Sequence, residues 1–147
     1  GERVKQIEQY VDDTFFMSYA DGVSDLSPKA LLAAHQVCGL KATMTCVRPR
    51  THYGVVGLGE GGMVVSYEEK NRLMELVNGG FFCFNRDVFK HIHEGEALER
   101  EPMQRLIAEG QLAAHVYDGF WHCMDTPKDQ MALEGMWTKG DAPWRTR

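Results

Sequence analysis

No stretch of this chain is basic enough to form a polyanion-binding tract: 16 Lys and Arg stand against 21 Asp and Glu, leaving a formal net charge of -5. That balance argues against a general nucleic-acid surface, though it allows a small anionic ligand in a local basic pocket. Long apolar runs are missing too, since none approaches the ~20 residues that a membrane-spanning helix requires. No leader-type segment opens the chain, so the expected location is cytoplasmic, with no membrane partner. Cys38, Cys46, Cys83 and Cys123 form no C-x-x-C pair, and each lies in an apolar segment. Reduced core thiols are therefore expected in preference to disulfides or zinc ligands. Internal repeats and low-complexity tracts are also absent. What is there is ordinary for one globular domain spanning residues 1–147: 44% hydrophobic and 25% charged residues, enough for a sizeable core. The chain opens at Gly1, without an initiating Met and already inside a helical pattern, and is expected to be a piece of a longer one.

The patterning is that of an α/β protein. Val4, Ile7 and Val11 mark one apolar face of an opening helix, which Asp12 and Asp13 end. Phe15, Phe16, Met17 and Tyr19 then predict a strand covered on both faces, which Gly22 breaks. Ser27 and Pro28 signal the start of a helix and Gly39 its end. Lys41 to Val47 alternate as a second strand, and the connecting helix is long enough for parallel pairing. From Val55 the sequence V-V-G-L-G-E-G-G-M-V-V-S-Y reads as a hairpin around a Gly-rich turn. No helix start follows those glycines, so a phosphate loop is not expected there. Val77 to Gly80 lead into an aromatic strand at Phe81–Phe84, where two glycines either make a bulge or let backbone approach a ligand. His91 and His93 sit at a helix end and are expected to be exposed rather than metal-bound. A helix with Met103, Leu106 and Ile107 on its apolar face, stopping at Gly110, precedes a strand at residues 112–117. Thr126 and Pro127 open the last helix.

Acidic and polar residues gather at the ends of these strands. Asp21 follows the first strand at the edge where open α/β sheets collect ligands, and is either a metal or phosphate-site carboxylate or part of a tight turn. Glu69 and Lys70 close the hairpin, as site residues or as a solvated charged patch. Asn78 and Gly79 precede the aromatic strand. Asp125 stands between an apolar run and a helix start, as a ligand or as part of the cap.

Taken together, Y-A-D-G-V-S-D, the E-K pair, V-N-G-G-F-F, E-R-E-P, G-F-W-H-C-M-D-T and the closing A-P-W resemble, in order, the motifs of the sugar-1-phosphate nucleotidylyltransferases, most closely the cytidylyl branch that uses glucose 1-phosphate. The resemblance covers nearly the whole chain. It implies a mixed, mostly parallel Rossmann-like sheet with flanking helices, lacking the family's leading strand and G-x-G-T-R loop. It also implies a reaction, in which a sugar 1-phosphate and a nucleoside triphosphate, here CTP, give a nucleotide sugar and pyrophosphate. Asp21 and Asp125 are the implied ligands of Mg2+, a cation that prefers hard oxygens. Lys70 is implied to hold the sugar phosphate, Glu69 and Asn78 to bind sugar hydroxyls, and Gly79 to let backbone come close. Self-association into a homo-oligomer is a further implication. His122 and Cys123 stand where the family usually has Q-P, and Ala20 where it has glycine. Two other readings stay open: a non-catalytic binding or assembly module on the same fold, and a thymidylyl or guanylyl transferase acting on another sugar 1-phosphate.

Overall fold

A computed structural model describes residues 1–50, 53–69 and 75–145. The opening pattern gives a short helix, α1 (Glu2–Gln6), and one 3₁₀ turn, after which Val4 and Val11 pack on the core while Ile7 stays exposed. Strand β1 (Thr14–Ser18) follows, then a short strand β2 (Gly22–Ser24). Helix α2 (Pro28–Cys38) starts where the Ser27 hydroxyl accepts the Ala30 N–H, and it ends at Gly39, whose φ of 65° only glycine adopts cheaply. Next come β3 (Ala42–Val47), the hairpin β4 (Val55–Leu58) and β5 (Val64–Glu68), and the long β6 (Val77–Asn85). A 3₁₀ helix (Arg86–His91), α3 (Glu101–Ala108), β7 (Leu112–Tyr117), β8 (Trp121–Cys123) and α4 (Pro127–Lys139) complete the order.

Four strands form the central sheet in the order β1-β6-β3-β7. β1, β3 and β7 run the same way and β6 runs against them, so the sheet is mixed, as expected. The expected strand, helix, strand unit has the right strand directions but not direct pairing, because β6 lies between β1 and β3 and is antiparallel to both. The reason is burial. Phe82, Cys83 and Phe84 are each 0% exposed, so the most continuously apolar strand takes the middle of the sheet. β1 is left at the edge, and Phe16, expected to be covered, is 48% exposed while its neighbour Phe15 is buried.

Strand alternation sends Phe15, Ala42, Phe82 and Phe84 to one face, where Val88, Phe89, Ile92, Leu98, Met103 and Leu106 cover them. Phe82 and Phe84 stack with centroids 5.3 Å apart, and Phe15 stacks on Phe89 at the same distance. α2 covers the other face through buried His35, whose ring bonds the Thr43 hydroxyl at 2.8 Å and the Asn85 carboxamide at 3.1 Å. Asn85 is of a residue type that commonly caps helices and stands at the start of the 3₁₀ helix after β6, but its side chain makes no cap bond there and reaches back to Thr14, His35 and the Leu40 carbonyl. His91 is a second correction: rather than facing solvent it is 4% exposed, with Nε2 2.8 Å from a Glu109 carboxylate oxygen that also receives Lys41. Its charged partner comes from the end of α3, a contact that local spacing does not announce. His93 is exposed as expected.

The β4–β5 hairpin forms a sheet of its own, with Val55, Val56, Leu58, Met63, Val64, Val65 and Tyr67 all exposed. No helix among the described residues is long and apolar enough to cross a membrane.

Candidate active site

The site is built where β1, β3 and β7 end and β6 begins. Two features of the sequence set its shape. Between the pairs Met44↔Phe82 and Cys46↔Asn78, β3 advances two residues while β6 advances four, so the V-N-G-G-F segment bulges out of register. Gly80 makes this possible with a φ of 76°. The two glycines therefore do form a bulge, and the bulge aims the first residues of β6 toward the ligand-collecting edge. The second feature is the small antiparallel sheet in which β2 pairs with β8, Gly22 opposite Cys123 and Ser24 opposite Trp121.

That small sheet brings two distant acidic residues together. Asp21 precedes β2 and Asp125 follows β8, and the Met124 N–H donates to the Asp21 carbonyl at 2.8 Å, extending the pairing to the residues beside both carboxylates. As a result carboxylate oxygens of Asp21 and Asp125 and the Cys123 sulfur all lie within 4.8 Å of one another. Asp25, the second acid of Y-A-D-G-V-S-D, has a structural task. It accepts from the Phe120 N–H at 2.8 Å and from the Tyr117 hydroxyl, tying β2 to the turn before β8.

Asp125 is not the helix cap. Thr126 takes that role: its hydroxyl accepts the Asp129 N–H while the Asp129 carboxylate accepts the Thr126 N–H, a reciprocal capping box. The Asp125 carboxylate is thereby left to the cluster, where the Cys123 thiol donates to it at 3.4 Å. Burial, then that bond to Asp125, then the charge of Asp21 push the Cys123 thiol up to about 12.

Asn78 is held from two directions. Its carbonyl oxygen accepts the Gly80 N–H at 2.9 Å and its amide donates to the Tyr19 hydroxyl at 3.0 Å. The Tyr19 hydroxyl donates onward to Glu99 at 2.6 Å, and burial together with that carboxylate raises the phenol above its ordinary range. Among the described residues nothing else bonds the Asn78 side chain, which leaves one amide hydrogen and one oxygen lone pair for a ligand. Gly79 gives its carbonyl to the Trp121 indole N–H at 2.8 Å, a bond that ties β6 to β8. The space left by its missing Cβ faces Thr45 and Val47 of the neighbouring strand.

Glu69 closes β5 and accepts a hydrogen bond from Tyr67 at 3.2 Å within the hairpin, with no bond among the described residues to the Asp21 and Asp125 cluster. Lys70 lies outside the described residues. Sequence reasoning passed over Cys123, Tyr19, Glu99 and Trp121 as site components. A signal existed for Cys123: it stands two residues before Asp125 in extended chain, a spacing that returns a side chain to the same side. Glu99 was visible only as part of E-R-E-P.

The donor set suits a divalent cation. Asp21 and Asp125 offer hard carboxylate oxygens close enough together that both would hold one Mg2+ after a small side-chain rotation. The chemistry open to such a place is charge neutralisation between anionic groups.

The family described as Nucleotidyl transferase matches residues 3–133. A glucose-1-phosphate cytidylyltransferase of Salmonella typhi is 40% identical over 150 residues, covering 99% of this chain and 58% of the relative. Its counterpart from Salmonella typhimurium gives the same identity and coverage. Among solved structures, HddC from Yersinia pseudotuberculosis superposes with a TM-score of 0.68 at 15% identity, covering 91% of this chain and 60% of that one, a likeness of fold. The chain thus spans about 58% of the length of these two curated relatives.

Proposed function

Because this chain belongs to the nucleotidyl transferase family, we propose that it carries the sugar-phosphate and cation side of a cytidylyl transfer from CTP to glucose 1-phosphate. The observation that supports this most is the meeting of Asp21 and Asp125, far apart in sequence, at the edge where the fold collects ligands. The likeness to cytidylyltransferases at 40% identity supports the choice of base and sugar.

In the transfer, a phosphate oxygen of the sugar 1-phosphate attacks the α-phosphorus of the triphosphate. A new P–O bond forms there as the bond to the pyrophosphate leaving group breaks. No protein nucleophile is needed, so the chain's work is positioning and electrostatics. Bound Mg2+ would supply neutralisation of the two converging anions, with Asp21 and Asp125 as its protein ligands. Asn78, its amide plane fixed by Tyr19 and Gly80, offers its remaining donor and acceptor to sugar hydroxyls. The β6 backbone at Gly79 is fixed from the other side by Trp121. Glu69 is proposed for the same hydroxyls, and Lys70, a mobile point charge, for the sugar phosphate.

The test is pyrophosphate release by the full-length gene product with glucose 1-phosphate, Mg2+ and CTP, dTTP, GTP or UTP in turn. CTP is expected to give the highest kcat/KM. A higher value with dTTP or GTP would move the assignment to another base, and no release with any triphosphate would favour the non-catalytic module.

We extend the reading to self-association through the β4–β5 hairpin. A two-stranded hairpin is marginal alone, and this one shows seven large apolar residues to solvent, a patch of the kind that marks protein contacts. Leu58 and Val64 are cross-strand partners. Replacing both by Glu is expected to reduce the light-scattering mass from an oligomer to one chain; a wild-type protein already of single-chain mass would refute the idea.

A further inference from the structure

We propose that Cys123 is a third donor of the Asp21–Asp125 site, and that the two-oxygen, one-sulfur set it completes takes thiophilic divalent cations, Zn2+ or Cd2+, in preference to Mg2+. The inference rests on the reading of the two carboxylates as a cation site. Three ligand atoms of the required kinds lie within 4.8 Å of one another, supplied from both sides of the small β2–β8 sheet. Around one tetrahedral zinc, ligands at ~2.0–2.3 Å stand about 3.3–3.8 Å apart, so modest side-chain rotations gather all three. Three protein ligands with a fourth position open is the arrangement of a site that still admits a substrate oxygen.

The sulfur is what changes the preference. Magnesium is a hard ion served by oxygen, whereas zinc and softer ions select thiolate donors, the metal–sulfur bond replacing the Cys123 S–H bond as its proton is released to solvent. The site is also formed in part already, because the Cys123 thiol donates to the Asp125 carboxylate at 3.4 Å and both are fixed by the chain on either side of Met124. Cys123 is half-buried, open enough for an ion to reach and covered enough to hold its position. The other cysteines lie elsewhere: Cys46 and Cys83 are buried in the central sheet, and Cys38 is at the end of α2 beside Thr43.

Cadmium titration of the full-length protein reads this directly, since a thiolate bound to Cd2+ gives an ultraviolet charge-transfer band. The wild-type protein is expected to develop the band at one Cd2+ per chain. Cys123→Ser is expected to lose it although the three other cysteines remain, and to bind Cd2+ at least ~10-fold more weakly, a loss of the size seen when a metal site's supporting groups are removed. Asp21→Asn and Asp125→Asn should each shift the titration to higher Cd2+. A band that survives Cys123→Ser, or one indifferent to both aspartates, overturns the three-donor site. No band in a wild-type protein whose Mg2+-dependent turnover still collapses in Asp125→Asn overturns the sulfur donor alone and leaves the carboxylate site standing. Turnover unchanged in Asp125→Asn overturns the carboxylate site beneath it.

Discussion

Asp125→Asn is expected to lower turnover by ~10²-fold or more, the size associated with losing one group that stabilises charge in the transition state. The substitution keeps the shape of the side chain and removes its charge, so the loss falls on cation binding and not on packing. The fold gives a reason to expect stability to survive. The start of α4 is secured by Thr126 and Asp129, not by Asp125, and the Met124 N–H that joins this segment to Asp21 is backbone. The melting temperature should therefore move little. Asp129→Ala supplies the contrasting case: it removes half of the capping box and should cost about 1 kcal/mol of stability. The measurement is steady-state pyrophosphate release at saturating CTP, glucose 1-phosphate and Mg2+, beside a thermal melt of each variant. Near-native turnover in Asp125→Asn would exclude the metal role.

The parts of this molecule that were legible in the sequence are those that local chemistry dictates. Ser27, Pro28 and Gly39 bound α2 because a hydroxyl acceptor, a missing N–H and a left-handed residue are each needed at those places. The hairpin around residues 59–63 and the strand at 112–117 follow from alternation and turn residues in the same way. Pairing across the chain was not legible. Nothing local states that Phe81–Phe84 will pass between β1 and β3, because that depends on which strand gains most from burial on both faces. His91 was misplaced for a related reason: Glu109, which makes its burial tolerable, arrives from another helix. At the site, motif resemblance singled out Asp21, Asn78 and Asp125. The structure adds what holds them, in the chain from Asn78 through Tyr19 to Glu99 and in the bond from Trp121 to Gly79. Those supports join separate segments, so no single stretch of sequence displays them.

Gly80→Ala is expected to cost about 2–4 kcal/mol of stability, more than most single substitutions, and to lower the melting temperature by about 10 °C. Two physical terms combine. A φ of 76° costs a residue with a Cβ ~1–2 kcal/mol. The added Cβ would also stand 2.7 Å from Cδ2 and 3.1 Å from Cγ of Tyr19, closer than carbon atoms approach without displacement. Tyr19 has little freedom to withdraw. Its N–H donates to the Gly80 carbonyl at 2.8 Å, its ring meets Phe82 edge-on with centroids 5.6 Å apart, and its hydroxyl sits between Asn78 and Glu99. Strain at Gly80 therefore passes to Asn78, and KM for the sugar phosphate should rise along with the loss of stability. Tyr19→Ala separates the two terms: in its background Gly80→Ala meets no ring, and only the backbone cost should remain. The double variant is then less destabilised than the sum of the single ones, with a coupling of ~0.5–3 kcal/mol. Strict additivity would show that the ring is not what opposes the added methyl. A Gly80→Ala melt indistinguishable from wild type would show that the bulge does not depend on glycine at all.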